Sequence, residues 1–527
     1  MARPLNARAV IQAITDPGTF TSWDNYPQQP DLGEEYAQDL KRAAEASGES
    51  ESVVTGLALV RGRPLVLVVS EFGFLAGSIG AAAADRITSA VARATREGLP
   101  LLASPASGGT RMQEGTPAFL AMLRVTAAVR RHRDAGLPYL VYLRHPTTGG
   151  VMASWGSLGH LTAAEPGALL GFLGPRVYAA LTGDDFPTGV QQAENLFRHG
   201  LIDAVRPPQE MGEVIDRTLD ILQPVGASGS VVPGPVGAQE AVGPRAATES
   251  GTAKVGAAQP DTAESGLGEG LGDGPVWPRV VATRDLGRPG AEDLVNLGAA
   301  VSVGLSGTAE GENDPGILLA LARFGQSRCI VLGHRRMSGP VGHGMGPGAL
   351  RAARRGVGLA AELSLPVVCL IDTSGAALSV AAEQGGLAAE IARSLDNLLS
   401  LPGPSVSVLL GEGTGGGALA LLPADRVIAA ENAWLAPLPP EGSASLLHGT
   451  VAAAPQAAQA QRIGARDLVS VGLVDRIVPE PVDPAQDPKG FLAAMVAAIE
   501  AELAIAAAQP SEGRVERRMS KVARLGR

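Results

Sequence analysis

Aromatic residues make up only 3% of this 527-residue chain, although 45% of it is hydrophobic. The core must therefore be built from Ala, Val, Leu and Ile, with 68 glycines permitting close backbone contacts. Lysine is nearly absent, so arginine carries almost all the positive charge. That excludes a lysine-based phosphate loop or Schiff base. The only two cysteines, Cys329 and Cys369, each lie in an apolar run. They read as reduced core residues, which excludes a disulfide framework and a cysteine metal site. A net charge of −10 argues against nucleic acid as a partner. No charge-free, strongly apolar stretch of about 18 residues is evident, and Met1-Ala2-Arg3-Pro4 opens no apolar signal core. A cytoplasmic protein with no membrane partner is expected. Gly-Lys pairs, His-Glu-x-x-His, Cys-x-x-Cys and Gly-x-Ser-x-Gly are all missing.

What is present is a duplicated set of landmarks. Leu99-Pro100 recurs as Leu365-Pro366, and Ser107-Gly108-Gly109 as Ser374-Gly375-Ala376. Gly149-Gly150 recurs as Gly416-Gly417, and Glu165 as Glu431, all at offsets of 266 or 267. Gly200-Leu201-Ile202-Asp203 recurs as Gly472-Leu473-Val474-Asp475. Two copies of one fold follow. The chain divides into a first unit over 1–222, a flexible linker over 223–277, a second unit over 278–507 and a tail over 508–527. The linker is rich in Gly, Ala, Pro and Ser, without the periodicity that would repay its ordering entropy. The tail, with Arg514-Val515-Glu516-Arg517-Arg518, reads as a solvated helix end.

Each unit alternates strands and helices, an α/β pattern. In the first, Pro64–Val69, Leu101–Ala103 and Tyr139–Leu143 read as strands, and Ser78–Arg96 and Thr116–Arg133 as helices. In the second, Cys329–Leu332, Val367–Ile371 and Val406–Leu410 read as strands, and Ala349–Leu363 and Glu383–Leu399 as helices. Glycines cluster where the strands end. A glycine pair lets a substrate oxygen reach the backbone with no Cβ in the way. At a helix start the free N–H groups point at that oxygen. Two such donors form an oxyanion hole, suited to turning a thioester into an enolate.

One rival pattern is Gly411-Glu412-Gly413-Thr414-Gly415-Gly416, with Glu431 twenty residues on, the form of a dinucleotide fingerprint. It is a weak signal in a glycine-rich chain, and the matching loop of the first unit, Thr147-Thr148-Gly149-Gly150, lacks it. Arg111, beside a glycine pair, could meet a phosphate or carboxylate, or pair with Glu114. His145 and His343 lie next to glycine loops and could touch substrate or have no chemical role. Arg130-Arg131-His132-Arg133 reads as a solvated helix end that could attract phosphates.

The segment Ala106–Gly115 resembles the signature of the beta subunit of bacterial acetyl-CoA carboxylase carboxyltransferase. The likeness continues through Pro146–Val151, Ala164–Phe172 and Gly174-Pro175-Arg176-Val177. The second unit resembles the alpha subunit, through Ile371–Ala376, Gly411–Ala420 and Pro440–Ser445. The chain looks like a beta–alpha fusion without the beta subunit's usual four-cysteine zinc ribbon, since no cysteine precedes Cys329. No metal site is expected. In the alpha-like motif, Ser374 stands where the family usually has proline, and Gln384 where it has arginine.

The resemblance implies two crotonase-like β-β-α superhelix domains in tandem. It implies acyl-CoA on the first unit, held by Gly149 and Gly150 with help from Gly108 and Gly109. It implies carboxybiotin on the second, held by Gly416 and Gly417 with help from Gly375 and Ala376. Arg111 and Gly415 join the expected cofactor contacts. Biotin would arrive on a separate carrier protein served by a biotin carboxylase, because the chain has no biotinyl-lysine motif. The family pairs unlike halves between chains, so a homodimer or higher homo-oligomer is expected. A CoA-thioester decarboxylase or hydratase of the same fold, and a non-catalytic scaffold subunit, remain the alternatives.

Overall fold

The structure is a computed structural model and describes residues 5–25, 27–222, 275–336 and 344–526. Most of the expected linker lies outside the described residues. Its last expected residues fall inside the helix Val276–Thr283, whose Val276 and Val280 are buried, so the second unit begins earlier than the composition shift suggests.

Each unit opens with an antiparallel hairpin. Val53–Val60 pairs with Arg63–Ser70, and Ile317–Phe324 pairs with Ser327–His334. Parallel strands then add in turn, Leu101–Ser104 and Tyr139–Leu143 in one sheet, Val367–Thr373 and Ser405–Thr414 in the other. These strands are buried almost throughout, which explains why they read as apolar runs without polar alternation. The result is two crotonase-like domains in tandem, with seven strands in the first main sheet and eight in the second among the described residues.

Local chemistry corrects several expected boundaries. The helix expected over Ser78–Arg96 runs Ala81–Glu97, because Gly80 before it is extended, at φ −99° and ψ −174°. It stops at Gly98, left-handed at φ +65°. Gly411–Thr414 is not a loop. It continues the strand Ser405–Thr414 and pairs with Trp434–Ala436. A Cβ on Gly413 would lie 2.6 Å from the Trp434 carbonyl oxygen, so this glycine serves a close strand contact. That removes the dinucleotide reading.

The two units face each other across a pseudo-twofold axis. Helix Gly115–Asp134 of the first packs on helix Leu387–Ser400 of the second. Gly115–Asp134 is buried nearly all round, because one side meets its own sheet and the other meets the second unit. Arg130 reaches Asp396 at 3.2 Å, and the two are 266 residues apart. Arg130 thus pairs with its own counterpart. Between the helices of each unit a second relation holds. Asp85 pairs with Arg124 in the first, and Arg351 with Glu390 at 3.6 Å in the second. These are equivalent positions with the charges exchanged.

The tail is not solvated. Helix Arg514–Ala523 docks on Gly115–Asp134 of the first unit and Leu387–Ser400 of the second, with Met519 and Val522, and Leu525 just beyond the helix, in the core. Arg518 is only 1% exposed. It pairs with Asp425 at 2.9 Å and donates to the carbonyls of Leu398, Leu401 and Gly403. Helix Pro488–Ala508 is, by length and composition, long and apolar enough to cross a membrane, contrary to the sequence expectation. Here Phe491, Leu492, Met495, Ile499 and Leu503 join the main core.

Candidate active site

The central strands of both units end at one cavity. Gly108, Thr110, Phe119, Gly149, Gly150 and Phe172 line it from the first unit. Ser374, Gly375, Ala376, Gly415, Gly416 and Leu438 line it from the second. One chain therefore supplies both glycine loops. The expected pairing of halves between chains is not needed to complete the site, because the interface helices already bring them together within the chain.

In the first unit two loops touch back to back. Gly109 sits at φ +108° and Gly149 at φ +66°, where a side chain is strained. A Cβ on Gly149 would stand 3.2 Å from Gly109 Cα. The Gly109 amide donates to Ser107 Oγ at 3.0 Å, and the Gly108 amide to the Ala76 carbonyl at 2.9 Å. Neither is spare. Ile79 pairs in parallel with Thr110: its amide donates to the Gly109 carbonyl, and its carbonyl accepts from the Arg111 amide. That pattern turns the Thr110 N–H to the opposite side, toward Gly150. Gly149 donates to the Phe172 carbonyl at 2.8 Å. Gly150 is the second residue of helix Gly149–Met152, where the N–H has no partner within the helix. Thr110 and Gly150 are neighbours, since a Cβ on Gly150 would be 3.0 Å from Thr110 Oγ1. Their amides are the candidate donors of the first hook.

The second unit repeats this. Gly375 sits at φ +138° and donates to Thr373 Oγ1 at 3.1 Å. Ala376 pairs in parallel with Met345, and Ala377 donates to the Met345 carbonyl. Gly415, at φ +62°, opens helix Gly415–Ala420. Ala376 and Gly416 are then the second hook. The structural offset is 266 throughout: Gly375 matches Gly109, Gly415 matches Gly149, and Gly416 matches Gly150. The expected matches at 267 are out by one residue. Gly417 lies off the cavity wall, and a Cβ there would be 3.4 Å from the Ala376 nitrogen.

Two buried residues that sequence reasoning did not single out support these hooks. Phe172 gives its carbonyl to Gly149, while its ring covers Gly416; a Cβ on Gly416 would be 2.7 Å from Phe172 Cε2. His334 lies beneath the second hook, its ring nitrogens 3.3 Å from the Leu370 carbonyl and 3.2 Å from the Gly417 carbonyl. Burial pushes its pKa down to about 4, so the ring is neutral near pH 7.

Arg111 faces away from the chemistry. Its side chain is fully buried, 2.5 Å from Glu51 and 3.3 Å from Glu114, with further bonds to Tyr36 and Ser78. Burial alone would raise the Glu51 carboxyl, but the Arg111 guanidinium holds it below the usual range. Arg111 is an internal clamp rather than a cofactor contact. Arg111→Met would leave two buried carboxylates without a counterion, and is expected to cost about 3–5 kcal/mol of stability in a denaturant titration. His145 is also absorbed, accepting from the Leu169 amide at 3.1 Å. His343 lies outside the described residues. In the arginine run, Arg130 and Arg133 pair with Asp396, Arg131 pairs with Glu516, and His132 is buried. Burial pushes both cysteine thiols up to about 12, as expected of inert core residues. Among the described residues no group of three or more His, Cys, Asp or Glu could hold a metal ion.

Two duplicated units with candidate amide hooks on one cavity fit a site that stabilises two developing oxyanions, and the comparisons with known proteins narrow the class. Residues 3–206 match the family described as carboxyl transferase domain, and residues 273–526 match that described as acetyl co-enzyme A carboxylase carboxyltransferase-like. A probable biotin-dependent acyl-coenzyme A carboxylase beta3 subunit of Mycobacterium tuberculosis is 51% identical over 514 residues, covering 98% of this chain and 97% of the relative. The acetyl-coenzyme A carboxylase carboxyl transferase subunits beta/alpha of Salinispora tropica is 37% identical over 541 residues, covering 99% and 91%. A solved transcarboxylase 12S chain aligns over 96% of this chain and 91% of its own at 19% identity, with a TM-score of 0.36. The chain belongs to the carboxyltransferase subunits of biotin-dependent acyl-CoA carboxylases.

Proposed function

We propose that this chain moves a carboxyl group from carboxybiotin, borne on a separate carrier protein, to the α-carbon of a short acyl-CoA. Acetyl-CoA giving malonyl-CoA is the first candidate, as a step of fatty acid synthesis, and a homologous acyl-CoA the next. One observation carries this reading. The cavity has two amide hooks and, among its described lining residues, no Asp, Glu, His, Cys, Lys or Arg. A hydratase or a side-chain-driven decarboxylase needs an acid or base there. Carboxyl transfer from biotin does not.

In the second hook the ureido oxygen of carboxybiotin gains its donors as the N–CO₂ bond breaks. CO₂ leaves, and the electron pair goes to the ureido group. The biotin nitrogen then removes the α-proton of the acyl-CoA. The thioester oxygen, held by Thr110 and Gly150, takes the enolate charge. The enolate carbon bonds to CO₂, and biotin departs protonated. Phe119, Phe172, Leu378, Leu419 and Leu438 keep the cavity apolar, which favours CO₂ capture over loss to water. The expected partners are a biotin carrier protein, a biotin carboxylase and further copies of this chain, in the cytoplasm.

The reverse reaction tests the reading. Malonyl-CoA and its longer homologues are incubated with free biotin as acceptor. Loss of the carboxyl group is expected to require biotin, and the rate across chain lengths gives the acyl preference. Biotin-independent loss at the same rate would favour the thioester decarboxylase, and no turnover of any homologue would favour a scaffold.

A further inference from the structure

Phe172 belongs to the first unit, yet its amide is held by the second. Glu383 takes the Phe172 N–H at 2.9 and 3.1 Å on its two oxygens, and the Leu173 N–H at 3.3 Å. Gln191 Nε2 adds a third donor at 2.7 Å. Burial pushes the Glu383 carboxyl above the usual range, and these N–H groups oppose that shift by favouring the ionised form.

Glu383 stands between the two hooks along a short covalent and hydrogen-bonded path. The loop Ser374–Leu378 lines the second hook and leads straight into helix Val380–Gln384, capped by Ser379, which carries Glu383. From Glu383 the path passes to the Phe172 amide. The Phe172 carbonyl takes the Gly149 amide, and Gly150 follows. The Phe172 ring returns to Gly416. The position equivalent to Glu383 in the first unit is Pro117, 266 residues earlier, so no carboxylate runs the other way. The first unit reaches the second there through Thr116, whose hydroxyl donates to the Gln461 carbonyl at 3.0 Å.

The geometry points to Glu383 as a positioning residue that sets the acyl-CoA hook from the carboxybiotin half, so that the first hook is formed only against a correctly seated second loop. The inference rests on the carboxyl-transfer reading of the cavity. Its function would be order: the thioester oxygen is gripped for enolisation when the donor side is in place, which protects the enolate from quenching.

Glu383→Gln keeps the size of the side chain but presents an N–H₂ to at least one of three donors. Two measurements decide. In carboxyl transfer to free biotin, kcat is expected to fall about 10²-fold while the acyl-CoA KM stays within about threefold, because the lost quality is aim rather than grip. In amide hydrogen exchange of the full chain, protection is expected to fall at Gly149, one step beyond the broken bonds, and to hold in helix Ala81–Glu97. Glu383→Asp retains the charge with a shorter reach; it should recover part of kcat, and it carries both measurements if the glutamine variant does not fold. Unchanged kcat, or unchanged protection at Gly149, overturns the proposal. A wild-type chain with no biotin-dependent transfer would sink the functional reading instead, and the exchange at Gly149 would still decide the link.

Discussion

Gly150→Val is expected to lower the rate of carboxyl transfer by about 10²–10³, the usual cost of one oxyanion donor. The first Cβ already stands 3.0 Å from Thr110 Oγ1 and 3.2 Å from Met122 Cγ, so the branched side chain must fill the space in front of both hook amides. Gly150 itself does not sit at a positive φ, unlike Gly149, so the backbone accepts the substitution without strain of its own. The effect should therefore appear in kcat/KM for acyl-CoA, with the thermal transition showing the chain still folded. A folded variant with near-normal transfer would make these glycines turn formers, and would end the oxyanion assignment.

The second large effect is expected at Gly416, with Gly417 as its control. Gly416→Ala places a methyl 2.7 Å from the Phe172 ring and 2.8 Å from Ile391 Cδ1. The ring must move into the cavity where the ureido group would lie. Biotin-dependent transfer should fall by about 10². Gly417→Ala meets only ordinary contacts, the nearest at 3.4 Å, and should keep transfer within about threefold of wild type. Steady-state rates with free biotin compare the two directly. The reverse order of sensitivity would restore the match of Gly417 with Gly150 and remove the 266-residue register.

The glycine loops were legible in the sequence, though Thr110 was not, because their glycines answer a backbone demand. A positive φ, or a close approach of two loops, leaves glycine as the easy choice, and the demand recurs in both units. Their register was not legible. Three consecutive glycines at 415–417 offer no side chain to count from, and only the positive φ at Gly415 and the helix start fix which one aligns with Gly149. Arg111 misled for a different reason. Its neighbours in sequence are the hook, while its partners Glu51 and Tyr36 lie far off along the chain and converge on it only after folding. The tail misled because a run of charge looks solvated, whereas Arg518 is buried by one carboxylate and four carbonyls that no local pattern announces. The Glu383 contacts join Phe172 and Gln191 from the other unit, and nothing local to either segment signals them.

The pairing of Arg130 with Asp396 governs which halves can associate. Because the two residues are counterparts about a pseudo-twofold axis, two copies of the first unit in the same arrangement would set Arg130 and Arg133 against another Arg130 and Arg133. Two copies of the second would set Asp396 against Asp396. Like charges at so enclosed a position oppose both homotypic assemblies, and only the mixed pair is neutralised. A near-symmetric duplication thereby encodes its own partner choice. Every cavity assembled in this arrangement takes one glycine hook from each unit, never two alike, whether the unlike halves come from one chain or from neighbours.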